Sequence, residues 1–353
     1  MMATIWFLVV LLCLVMYVVL DGYDLGAGVA SLFERDRVAR RDIVELIATG
    51  WDGNESWLIL LAVALWAGFP LAFGVILPSL YLPLILTLFA LILRGFSVEM
   101  VSQSPTRRSG WVWVFGISSL VAALSQGIAL GELTSAVAIK NGAFSGSAFG
   151  SLTGFSILIG VTLTLIYTAL GYAFIKLKTE KGLRLRATRR GQWVAILAVV
   201  GVVISLIAIN GTAAPLNLST PGRAIAFWAL LVFAAAGVAV TVGTFGRETE
   251  SRFVDHMPFT GLVVTVISVL LAITVARYPL FLPPHLTLAE AQGPRNSMVF
   301  LLVGIGLNIP LVLFYNWFAH RAFRGKLQID AHHTPPVIEP QLVQPIDATG
   351  SHK

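Results

Sequence analysis

Two pairs of carboxylates stand where the chain is otherwise apolar. Asp21 and Asp24 close the first long hydrophobic run, and Asp52 and Glu55 open the second within Trp51-Asp52-Gly53-Asn54-Glu55-Ser56-Trp57. The members of each pair are three apart, which puts them on one face of a helix. Ionisable groups in hydrocarbon are expensive and usually mark an ion or proton pathway. The chemistry these four residues suit is therefore proton collection by carboxyls gathered at one depth. The structural alternative is that they cap helix ends, accept hydrogen bonds from free N–H groups and pair with Arg94. Trp51 and Trp57 suit the boundary between lipid and water. Gly22, Gly26 and Gly28 flank the first pair and are expected to let helices approach closely. Glu132, late in the fourth apolar run with Gln126 before it, is expected either to reach headgroup water or to act as a further functional acid.

These residues need membrane-spanning elements to hold them. Of 353 residues, 57% are hydrophobic and only 12% charged, which excludes an ordinary soluble domain. A helix needs about twenty residues to cross roughly 30 Å of hydrocarbon. Nine runs qualify: Ile5–Leu32, Glu55–Gly74, Ile76–Phe96, Trp111–Ala138, Phe149–Leu177, Gln192–Ile209, Ile225–Phe245, Met257–Val275 and Met298–Ala319. They lack the alternation of a barrel, so the fold class is an all-α integral membrane protein with nine transmembrane helices. The N-terminal run has no basic segment before it and no small-residue cleavage site after it, and reads as a retained span. Twenty of the 24 Lys and Arg fall on the side of the loops after odd-numbered spans and the tail. The opposite loops hold only Lys140, Arg223, Arg277 and Arg295. This places the N-terminus outside and the C-terminus in the cytoplasm, with Lys176–Arg190, seven basic residues in fifteen, as a cytoplasmic loop. Asp21 and Asp24 then lie about 24 to 29 Å down their helix, near the inner leaflet, at the depth where Asp52 and Glu55 begin theirs.

Acids within or at the mouth of a span are confined to the first four helices, and helices five to nine are expected to hold none. The second half reads as scaffold. Met16-Tyr17-Val18-Val19-Leu20-Asp21-Gly22-Tyr23 is faintly echoed by Ile166-Tyr167-Thr168-Ala169-Leu170-Gly171-Tyr172, which fits two four-helix bundles plus one peripheral helix. The division is residues 1–140 with the membrane carboxylates, 141–276 as the second unit, 277–326 as outer loop and ninth helix, and 327–353 as a disordered cytoplasmic tail. Asn210–Gly222 and Tyr278–Gly293, rich in Pro, Gly and small polar residues, are expected to be structured connections without helix. His332 and His333 in the tail are read as solvated, with metal binding the lesser alternative. The six histidines fall in loops, at a helix end or in the tail, so no mid-membrane pair suits haem. No nucleotide-binding motif is present. No metal or cofactor is expected on this chain's own ligands, and no nucleic acid as partner. Cys13 is alone and cannot form an intramolecular disulfide.

Asp21-Gly22-Tyr23-Asp24-Leu25-Gly26 followed by Trp51-Asp52-Gly53-Asn54-Glu55 closely resembles subunit II of the cytochrome bd type quinol oxidases, including their cyanide-insensitive branch. Tyr81-Leu82-Pro83, Arg94-Gly95 with Glu99, Tyr278-Pro279, and Leu307-Asn308 leading to Leu313-Phe314-Tyr315 extend the match over nearly the whole chain. The family pattern has another arginine a few residues beyond Glu99. Here Met100-Val101-Ser102 follow, so no salt bridge is expected from that loop. The resemblance implies a nine-helix subunit of the bacterial cell membrane that pairs with a homologous subunit I. That partner would bind haems b558, b595 and d and the quinol, ubiquinol or menaquinol, and small single-helix subunits could join the pair. The complex would oxidise quinol and reduce dioxygen to water electrogenically, the isolated chain being inactive. Residues matching Asp21, Asp24 and Asp52 are implicated in a cytoplasmic proton route, with Trp51, Asn54, Glu55, Arg94, Glu99 and Glu132 in support. Two other classes compete. A proton-coupled transporter would carry acids or broken helices near the midplane of both halves, and a purely structural partner subunit would tolerate neutral replacements of Asp21 and Asp52.

Overall fold

The computed structural model describes residues 2–103, 108–135, 137–248 and 251–322, and among them the chain is all α apart from two short hairpins. The helices are α1 (Met2–Leu32), α2 (Arg37–Ile47), α3 (Trp51–Gly68), α4 (Pro70–Ser79), α5 (Tyr81–Gln103), α6 (Arg108–Ser135), α7 (Gly154–Lys178), α8 (Lys181–Ala208), α9 (Pro221–Phe245), α10 (Arg252–Arg277), α11 (Leu288–Ala291) and α12 (Arg295–Ala322). Antiparallel β1 (Ile139–Lys140) and β2 (Ala143–Phe144) flank Asn141 and Gly142, whose positive φ values of 52° and 77° suit a two-residue hairpin turn. Strands β3 (Leu280–Leu282) and β4 (Leu286–Thr287) pair in the loop after α10.

Eight helices among the described residues are long and apolar enough to cross a membrane. The second expected run, Glu55–Gly74, is divided between α3 and α4 instead of forming one helix. Pro70 has no N–H to continue the ladder and disfavours helical backbone at Phe69, yet it suits the first position of a new helix. The carbonyl of Gly68, freed at the break, accepts from Gly293 N–H at 3.0 Å. The third run likewise begins within α4 and continues through α5 to Gln103.

Other helices outrun their apolar stretches. Lys176–Arg190, expected as a loop, is helical except at Thr179 and Glu180. Arg37, Arg40 and Arg41, expected in a loop, lie on α2, whose first turn is capped by the Asp36 side chain accepting from Val38 N–H. Helix α10 starts early enough to include Asp255, so the second half does carry an acid in a helix. That acid is buried and paired with Arg184 at 2.7 Å. The connections expected to lack helix contain a 3-10 turn at Ile209–Gly211, the first turn of α9 from Pro221, and α11. The tail, with His332 and His333, falls outside the described residues.

Helices α1 and α7 cross at the centre of the molecule. A Cβ at Gly26 would run into the backbone of Tyr167, and one at Gly171 into the backbone of Gly26 and Ala27. Main chain thus meets main chain, and one turn earlier Gly22, within the stretch of α1 that is echoed in α7, packs against the Tyr167 ring. This close approach is what small residues provide between membrane helices. One end of the molecule is marked by Trp6, whose indole N–H donates to Met298 O at 3.3 Å while Phe7 meets Phe281 edge to face. At the other end, buried Glu34 accepts from Arg186 at 2.9 Å and Arg190 at 3.2 Å, joining α1 to α8. There too the buried Lys176 ammonium donates to the carbonyls of Thr244, Phe245 and Arg247, filling acceptors left at the C-terminus of α9.

Candidate functional site

The apolar helices fix the position of the acids. Asp21 is eleven residues from the end of α1, about 16 Å of helix from the Glu34 end, and Asp24 is one turn nearer to it. Helix α3 starts at that end, so its first two turns bring Asn54 and Glu55 alongside, and α5 supplies Arg94 from mid-helix.

Arg94 is fully buried and is the hub. Its Nη1 donates to Asp21 Oδ1 at 2.6 Å and its Nη2 to Glu55 Oε2 at 3.0 Å. The Asp21 side chain is fully enclosed, whereas that of Glu55 is 23% exposed. Nε of Arg94 and Oδ2 of Asp21 are enclosed without a hydrogen bond. The guanidinium lies 5.7 Å from the centre of the Trp51 ring, a cation–π distance, and Gly95 leaves room for that ring where a Cβ would be 2.8 Å from it. Buried Asp24 does not touch Arg94 through a hydrogen bond. It accepts from Asn54 Nδ2 at 2.8 Å, and the same amide donates to Tyr23 Oη at 2.7 Å.

Three of the four expected carboxyls therefore converge, and one does not. Asp52 is exposed in the first turn of α3; it shares a helix face with Glu55 but stands nearly one turn nearer the start of the helix, short of Arg94. Glu99 is also outside the cluster. It stands exposed on α5, which continues through Met100–Gln103 where a loop was expected, and accepts from Gln103 at 3.1 Å. Glu132 is buried near the far end of α6, well away from the other acids, so it does not reach headgroup water freely.

A polar chain behind Asp21 was missed in the sequence. Tyr17 lies one turn before Asp21 on α1 and is buried like it. Gln126 of α6 donates to Tyr17 Oη at 2.7 Å and accepts from Tyr167 Oη of α7 at 3.2 Å. The available signal was a tyrosine four residues before an intramembrane acid, with a glutamine in an apolar run. Among the described residues no three His, Cys, Asp or Glu side chains converge as metal ligands. The arrangement is suited to holding and exchanging protons on carboxyls and to fixing helices by ion pairing.

Comparison with known proteins gives consistent relatives. Residues 2–323 match the family described as cytochrome bd terminal oxidase subunit II. The chain is 26% identical to cytochrome bd-I ubiquinol oxidase subunit 2 of Escherichia coli K12 over 363 residues, covering 92% of this chain and 94% of that one. It is 27% identical to cytochrome bd ubiquinol oxidase subunit 2 of Bacillus subtilis over 329 residues, covering 91% and 96%. The solved bd oxidase of Geobacillus thermodenitrificans contains a chain of the same fold, with a TM-score of 0.74 at 18% identity over 92% of this chain and 98% of that one.

Proposed function

Since this chain belongs to the cytochrome bd terminal oxidase subunit II family and is a subunit of a bd-type quinol oxidase in a bacterial cell membrane, we propose that its carboxylate cluster forms part of a proton-uptake route from the cytoplasm. The route would supply protons for the reduction of dioxygen to water. The observation that carries this reading is the surplus of acids: Asp21 and Glu55 both pair with one buried guanidinium, and Asp24, one turn from Asp21, is buried too and, among the described residues, bonded only to the neutral amide of Asn54. A structural ion pair needs one carboxylate. Full ionisation of all three would leave two negative charges uncompensated in surroundings that tolerate them poorly, and a proton held within the cluster removes one of them. Asp52, exposed at the same end of α3, is assigned the entry point, and partly exposed Glu55 the next group inward.

The remaining assignments complete this reading. The Glu34 end faces the cytoplasm, with Arg35, Arg40, Arg41, Arg186 and Arg190 near it, as the distribution of basic residues requires. Helices α3 and α4 together make a ninth crossing, α3 alone being about 27 Å long. Residues 1–140 and 141–276 act as the two four-helix units, with 277–326 appended. The chain pairs with subunit I, which carries haems b558, b595 and d and oxidises the quinol; this subunit supplies no haem ligand. The purely structural reading is favoured by the Asn54–Asp24 and Arg94–Asp21 contacts.

Asp52→Asn separates the two. The side chain is exposed and makes no hydrogen bond or ion pair among the described residues, so the variant complex should assemble with an unchanged haem spectrum. Quinol oxidase activity per haem should fall about tenfold or more, within the range for loss of a proton-transfer group. Full activity per haem in the assembled variant would sink the proton route and leave a scaffold.

A further inference from the structure

One buried cation lies far from the carboxylate cluster. Arg277, the last residue of α10 at the Trp6 end, is only 8% exposed, and no acidic side chain among the described residues pairs with it. One of its terminal N–H groups donates to Ala214 O, while Nε is enclosed and makes no hydrogen bond. A buried guanidinium with open donor capacity and no counter-charge is costly, so the site is built for an acceptor carrying negative charge.

Two cavities meet at this residue. A chamber of about 240 Å³ next to Asn217 and Pro215 lies on one side. On the other is a cavity of about 560 Å³ whose walls are almost wholly apolar, among them Leu11, Phe155, Val202 and Leu262. Along α10 its lining runs from Arg277 back to Leu262, fifteen residues or about 22 Å of helix. Half of a typical hydrocarbon core is roughly 15 Å, so the cavity is long enough for a lipid chain descending from its headgroup.

We infer that Arg277 and these two cavities form a phospholipid site, with the phosphodiester against the guanidinium and an acyl chain in the apolar cavity. A neutral apolar molecule would fill the cavity and leave the charge uncompensated. Free phosphate would compensate the charge and leave the cavity empty. The juxtaposition of the two is what selects a lipid with an anionic phosphodiester.

The test uses the intact oxidase complex, delipidated in detergent and examined by native mass spectrometry, with phosphatidylglycerol vesicles and inorganic phosphate as probes. Wild type should retain one phospholipid at this site, Arg277→Lys should keep it, and Arg277→Gln should reduce occupancy at least fivefold. Phosphatidylglycerol added back should raise the thermal midpoint of wild type but not of Arg277→Gln. Should Arg277→Gln fail to assemble, Val202→Trp, which fills the apolar cavity and leaves the charge, should also reduce retention. The inference is overturned by wild type that retains no phospholipid, by retention undiminished in both Arg277→Gln and Val202→Trp, by a neutral lipid or quinone held instead, or by equal stabilisation with inorganic phosphate alone.

Discussion

Replacing Arg94 by methionine keeps much of the side chain's reach and removes its charge and donors. Arg94 and Asp21 are both fully enclosed and 2.6 Å apart. Taking one partner out of a buried ion pair costs about 3–5 kcal/mol, because the other charge stays behind. The contact with Glu55 adds less. That carboxyl is 23% exposed and can turn to water, so its share lies at or below the lower end of the roughly 1.5–3 kcal/mol of a charge-assisted hydrogen bond. The total, about 4–6 kcal/mol, is a large part of the roughly 5–15 kcal/mol that holds a typical domain together. Arg94→Met should therefore yield little assembled complex. Asp21→Asn added to it removes the stranded carboxylate and should recover at least half of the loss, since replacing both partners of a buried pair is far milder than removing one. The thermal midpoint of the purified complex and the yield of haem-containing complex from membranes measure both effects. Arg94→Met as stable as wild type, or a double variant no better than the single one, would refute the assignment of Arg94 as the hub.

The helix crossing and the topology give two further tests. Gly26→Val should abolish accumulation of the complex, because its Cβ would enter the Tyr167 backbone, whereas Gly74→Ala, where a Cβ meets nothing within 4 Å, should accumulate normally; equal yields would show that the crossing can relax. A cysteine at exposed Gly182 should resist an impermeant thiol reagent in intact cells and react after lysis, while one at exposed Ser147 should react in both, with buried Cys13 silent; the reverse pattern would invert the proposed orientation.

What could be read from the sequence follows from what hydropathy reports. It registers the preference of side chains for lipid, so the carboxylates of α1 and α3 stood out as charges in apolar runs, and pairing of the acids with Arg94 was foreseen as the structural alternative. It does not register backbone continuity. The basic residues of Lys176–Arg190 repel lipid and read as loop, yet the helical ladder runs through them up to Lys178 and again from Lys181. The Phe69-Pro70 break was missed for the opposite reason, because apolar residues on both sides hid a change of backbone. Glu34 and Asp255 resembled ordinary loop acids, and only the fold brings them to Arg186, Arg190 and Arg184. Gln126 meets Tyr17 across 109 positions of sequence, a pairing that local pattern cannot express.

The Gly26–Gly171 crossing also acts as an alignment pin. A contact made by backbone has no rotamer to adjust, so α1 cannot turn about its own axis without lifting off α7. Asp21 lies five residues before Gly26 and Asp24 two, and their bearing around the helix is set from that point. One residue inserted between Asp24 and Gly26 would swing both acids by about 100°, away from Arg94 and Asn54, while leaving composition, charge and hydropathy almost untouched. The length of that short segment is thus under tighter geometric control than the identity of most residues in the helix.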